Sequence, residues 1–159
     1  LHGAWIDAGQ EPEQIGTEIA WMLKQSPEPI AEEWAIHDHE GFRGVPLSEY
    51  EPLERVSRIA RGILEHGPAF AAWVNHTGHD EQAWERFEDC YLGAWPSGRE
   101  FAEETLSDLG FDKLIEEHIP DHFVPYVRFD ADAYIQDVEL NGDLTIIDSP
   151  DGTVFVFGG

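Results

Sequence analysis

The sequence predicts an α+β fold built from three successive parts. Apolar residues recur at helical spacing through most of the chain. Two short apolar runs alternate around Pro150-Asp151-Gly152 near its end, and short aliphatic and aromatic runs near its start read as strands. The expected division is an N-terminal α+β domain with a small antiparallel sheet (1–50), a helical middle domain (51–96) and an α+β C-terminal domain closing in a hairpin (97–159).

Leu1 to Asp7, with Trp5 and Ile6, reads as a first strand. Glu11 to Gln25 places Ile15, Ile19, Met22 and Leu23 on one helical stripe with Pro12 near its start. Ser26-Pro27-Glu28-Pro29 breaks that helix. Glu33 to His39 reads as a second strand and Glu40 to Tyr50 as a loop. From Glu51, Leu53, Val56, Ile59, Ala60, Ile63 and Leu64 mark an amphipathic helix that ends at His66-Gly67. Pro68 to His76 and Asp80 to Leu92 read as two more helices. Ser97 and Glu100 form a capping box ahead of Phe101, Leu106 and Leu109. Asp112 to His118 adds a turn or two of helix, and Asp130 to Leu140 a last helix stopped by Asn141-Gly142. Leu144 to Ile147 and Thr153 to Phe157 then pair as a hairpin.

The charge is the outlier. Thirty-three Asp and Glu face nine Lys and Arg, a formal −24 with a pI near 4.3. Such a chain repels nucleic-acid backbones and anionic membranes and is drawn to basic clefts. With 42% hydrophobic residues it is not disordered by composition. Its one cysteine, Cys90, excludes an internal disulfide framework and a cysteine-based zinc site, and fits a reducing cytoplasm. No apolar run approaches a membrane span. The sequence does not begin with Met, so its true N-terminus is expected to lie upstream.

The acids fall in rows. Glu81, Glu85, Glu88 and Asp89 share one expected helical face, opposite Trp84, Phe87 and Tyr91. Glu100, Glu103, Glu104 and Asp108 repeat the pattern, with Phe101, Leu106 and Leu109 turned inward, and Asp112, Glu116 and Glu117 continue it. Like charges at such spacing destabilise a helix by roughly 0.2–0.5 kcal/mol per pair, and a solvated helix ordinarily interleaves bases. Here only Arg86 and Arg99 are near. Residues 1–79 carry a net −8 and residues 80–159 a net −16, while Arg55, Arg58 and Arg61 form a basic row in the first half. Duplex DNA carries one charge per ~1.7 Å of axis, so 24 charges correspond to about 40 Å, or roughly 12 base pairs. The same composition also suits a salt-adapted enzyme, since Lys24 and Lys113 are the only lysines, or an acidic adaptor for another basic DNA-binding protein.

Catalytic and metal patterns are weak. His37-x-His39-Glu40 and His76-x-x-His79-Asp80 lack a convincing third ligand, and His66, His118 and His122 are scattered. Asp130-x-Asp132 lacks calcium-loop spacing, and Asp148-Ser149-Pro150-Asp151-Gly152 is turn chemistry. Cys90 lies among acids that would raise a thiol pKa. No phosphate-cradling loop or nucleophile elbow is present. No catalytic residue, metal site or cofactor is expected.

Four segments, in order, resemble the ArdA family of antirestriction proteins. These are His2-Gly3-Ala4-Trp5-Ile6-Asp7; Glu33 to Glu40 (EWAIHDHE); Tyr91-Leu92-Gly93-Ala94-Trp95 followed by Ser97 and Phe101-Ala102-Glu103-Glu104; and Tyr126 to Asp130 with Tyr134, Asp137, Leu140 and Gly142-Asp143. A closing strand pair with Val154, Phe155 and Phe157 completes the likeness. Arg128 stands where family members often have Asp, and a strand that they carry ahead of the G-x-W segment is expected upstream. The resemblance implies an elongated, three-domain, usually homodimeric protein carried by plasmids and conjugative elements. It implies a non-catalytic mimic of bent B-form DNA that occupies the DNA-binding groove of type I restriction-modification enzymes, on their methyltransferase and specificity core. The expected contact residues are Glu81, Glu85, Glu88, Asp89, Glu100, Glu103, Glu104, Asp108, Asp112, Glu116 and Glu117, acting in place of phosphates without direct nucleic-acid binding.

Overall fold

The computed structural model describes residues 2–28 and 30–159. Leu1, read as the start of the first strand, and Pro29, read as part of a helix-breaking turn, lie outside the described residues. Helices and one small antiparallel sheet make the fold α+β. The chain divides into two compact units, residues 1–84 and 85–159.

The first unit is helical. α1 (Pro12–Lys24) starts with proline at its first turn and a reciprocal capping box between Glu11 and Gln14, and it buries Ile15 and Ile19. α2 (Leu53–His66) buries Val56, Ile59 and Ile63, a 3–4 spacing that puts all three on one face. Its buried Ser57 is satisfied by donating to the Gln10 carbonyl at 2.7 Å. Leu64, expected on the apolar row, is exposed instead. α3 (Pro68–Thr77) packs back on α2. Gly62 makes that approach possible, because a methyl group there would fall inside the Phe70 ring. Two indoles then fix the next turn: Trp73 Nε1 donates to the Ala83 carbonyl at 3.0 Å, and Trp84 Nε1 donates to Thr77 Oγ1 at 3.1 Å.

The two expected N-terminal strands are not formed among the described residues. Residues 2–7 and 33–39 carry no ladder. Ile36 N–H donates to the Glu49 carbonyl at 2.8 Å, and both segments line a cavity of about 830 Å³. A strand is defined by its neighbour, and alternation alone supplies none.

The expected helix Asp80 to Leu92 is also corrected. α4 (Glu81–Glu85) and α5 (Phe87–Cys90) are separate short turns broken at Arg86, and Tyr91–Trp95 is strand β1. The 3.6-residue pattern through Trp84, Phe87 and Tyr91 runs across this junction by coincidence of spacing. β1 is recruited by a distant partner.

The sheet order is β1-β3-β2, with β2 (Leu144–Asp148) and β3 (Val154–Gly158) forming the expected hairpin. Gly93, at φ +112°, absorbs a register shift between Tyr91 and Gly93 opposite β3. Val154 and Val156 pack with Phe101, Trp95, Ile135, Leu144 and Ile146 on one side. Phe87 and Tyr91 ring-pack with Phe157 on the other. α6 (Gly98–Asp108) and α8 (Ala131–Asn141) pack against each other, and α7 (Phe111–His118) lies beside α6. Among the described residues no helix is long and apolar enough to cross a membrane.

A carboxylate surface on the second unit

The second unit holds most of the charge. Residues 85–159 carry eighteen carboxylates against four cations, a net −14. α6 is positioned by its cap: Ser97 accepts from the Glu100 N–H, and its hydroxyl donates to the Glu100 carboxylate at 3.3 Å. Phe101 and Ala102 are buried, which turns Glu100, Glu103, Glu104 and Asp108 outward. Leu109, expected inward, is 74% exposed, because α6 ends at Asp108 and Gly110 turns the chain in the left-handed region. α7 exposes Asp112, Glu116 and Glu117.

All eleven expected contact carboxylates are exposed. They are not equivalent. Glu81 lies in the first unit and pairs with Arg58 at 2.8 Å. Arg99 stands 3.9 Å from Glu103 and also pairs with Asp132. Glu85 and Glu88 have partners of their own. Asp89, Glu104, Asp108, Asp112, Glu116 and Glu117 make no ion pair among the described residues. The single face drawn through Glu81, Glu85, Glu88 and Asp89 does not exist as one helix, since α4 and α5 divide it.

The basic row of α2 adds no positive patch. Arg55 pairs with Glu51 at 3.2 Å, Arg58 with Glu81, and Arg61 with Glu11 at 2.6 Å. Arg55 also lies over the Trp84 ring and against His79. Burial works to raise the Glu51 carboxyl, but hydrogen bonds from Ser48 and the charges of Arg55 and His79 outweigh it and hold it below the ordinary value.

The histidine motifs have packing roles here. His39 meets the edge of Phe42, His76 stacks on Trp73, and His79 faces a guanidinium. Cys90 is buried.

The sequence profile of the antirestriction protein family ArdA matches residues 1–150 of the 159. The chain belongs to the ArdA family. Neither the curated proteins nor the solved structures contain a match to it. As an ArdA protein it is an antirestriction protein, of a family of inhibitors rather than enzymes, and that membership implies type I restriction enzymes as the target. Several exposed carboxylates of this ArdA chain were not singled out by helical spacing: Asp132, Asp137 and Glu139 on α8, with Asp143 and Asp148 beyond it. The signal was faint because α8 is only weakly amphipathic, burying Ala131 alone.

Proposed function

We propose that the chain inhibits type I restriction-modification enzymes by occupying their DNA-binding groove, with carboxylates standing in place of backbone phosphates. The observation that carries this reading is the row Glu100, Glu103, Glu104 and Asp108 on one continuous helix, exposed and, among the described residues, with Arg99 as its one paired base. Eight residue steps at a 1.5 Å rise place these four charges over about 12 Å, or one per ~4 Å. One strand of duplex DNA carries one per ~3.4 Å. Asp112, Glu116 and Glu117 extend the surface on α7, and Asp89 adds to it. Glu85 and Glu88 belong to the set but already have partners, and Glu81 contributes least because Arg58 holds it.

The mechanism is electrostatic. Lysine and arginine side chains of the groove exchange bound anions for carboxylates, and DNA is excluded by competition. No covalent step, metal or cofactor enters it. The three-domain, elongated and homodimeric form and the carriage by mobile elements belong to the same proposal, as does action in the cytoplasm.

The test is displacement of a labelled duplex from a purified type I enzyme. The parent chain should displace it competitively. Reversal of Glu100, Glu104, Asp108 and Asp112 to lysine should abolish displacement while circular dichroism stays unchanged. Undiminished displacement by the folded variant contradicts the assignment.

A further inference from the structure

The longest stretch of the second unit without a core residue begins within the acid row and runs past it. No residue from 103 to 130 is buried. Within it Phe129 finds partners, meeting Phe111 at 5.8 Å and Tyr134 at 5.4 Å between ring centroids. Phe123 and Tyr126 do not follow it inward. They are 54% and 82% exposed. A tight helical turn at Val124–Tyr126, closed by Tyr126 N–H donating to the Phe123 carbonyl at 2.9 Å, holds the segment. The turn places the two exposed rings three residues apart on one short, hydrogen-bonded segment. His122 tilts against Phe123 at 4.1 Å and leaves the Phe123 ring accessible.

Charge decides what can sit on this platform. Residues 108–132 hold seven carboxylates and two cations. A second copy would bring the same excess against itself, so a like-charged partner is disfavoured. A basic partner is favoured, and an exposed aromatic face beside carboxylates suits the guanidinium of arginine better than a lysine ammonium, because guanidinium stacks on rings as well as pairing with carboxylates.

We propose that Phe123 and Tyr126 form an arginine-stacking anchor at the edge of the carboxylate surface, which receives an arginine side chain of the basic partner. The proposal rests on the reading of the second unit as a surface for a basic groove. It adds a contact that salt screens little, beside many that salt screens strongly. It also makes the surface selective among basic partners, which charge alone does not achieve.

The experiment compares labelled nona-arginine and nona-lysine peptides bound to the full chain at fixed salt, read by fluorescence anisotropy. The parent chain should prefer nona-arginine. The double variant Phe123→Ala/Tyr126→Ala should lose roughly three- to tenfold of its affinity for nona-arginine and little for nona-lysine, as expected for one or two cation–π contacts. Tyr126→Phe, which keeps the ring, should retain the preference. An unchanged arginine preference in the double alanine variant overturns the proposal. So does a change of sedimentation from dimer to monomer in that variant, which would assign the rings to a second copy. Charge reversal on α6 should weaken both peptides alike. If it weakens neither, the α6 reading fails while the ring comparison still decides the anchor.

Discussion

The Arg58 guanidinium lies 2.8 Å from the Glu81 carboxylate and joins α2 to the start of α4. Both side chains are about half exposed, so the pair contributes at most about 1 kcal/mol. Its functional consequence is larger than its energy. A carboxylate already satisfied inside the first unit presents less charge to a partner than one that is not. Glu81→Gln should therefore change inhibition of a type I enzyme less than twofold, whereas Glu104→Lys should weaken it about tenfold or more. Restriction assays on the two single variants check the ranking.

The Ser97 cap positions the acid helix. Removing the hydroxyl leaves the Glu100 N–H without its acceptor and frees the Glu100 carboxylate from its bond. Ser97→Ala should cost about 1 kcal/mol, read as a lower denaturant midpoint with an unchanged slope. Ser97→Asp should restore most of it, because aspartate also caps and its charge suits a helix N-terminus.

Glu51 supplies a pH dependence of the fold. It is 7% exposed, and its carboxyl is held below the ordinary value by Ser48, Arg55 and His79 against the opposing effect of burial. A depressed folded-state pKa gives stability that is fully present above the unfolded pKa of about 4.3 and is lost as pH falls through the lower, folded value. Unfolding free energy should thus decline on acidification below about pH 4.3. Glu51→Gln should flatten that decline and cost roughly 1–3 kcal/mol at neutral pH, since Arg55 loses its carboxylate and keeps only the Trp84 ring and His79. Urea titrations at several pH values measure both.

Much of the fold was legible from local pattern. α1, α2 and α3 follow apolar stripes with proline at two of their starts, and the hairpin follows alternation around Pro150-Asp151-Gly152. Strand β1 was not legible, because its ladder partner, β3, lies far along the chain and a helical period happens to run into it. The expected N-terminal strands do not form for the converse reason: alternation at Trp5 and Trp34 specifies a face but provides no paired neighbour. At the site, the outward turn of Glu100 to Asp108 followed from Phe101 and Ala102 facing inward. The capture of Glu81 by Arg58 did not follow, since it depends on how α2 packs against a turn 23 residues away.

Inhibition of this kind requires that the carboxylates behave as phosphates toward a basic groove. The most direct measurement is the affinity of the chain for a type I enzyme across a range of salt concentrations, with the α6 variant carrying Glu100, Glu104 and Asp108 reversed to lysine beside it. The parent should show a steep linear fall of log affinity with log salt, and the variant a weaker affinity with a distinctly shallower slope. Equal slopes for the two, or an affinity of the parent indifferent to salt, would contradict it.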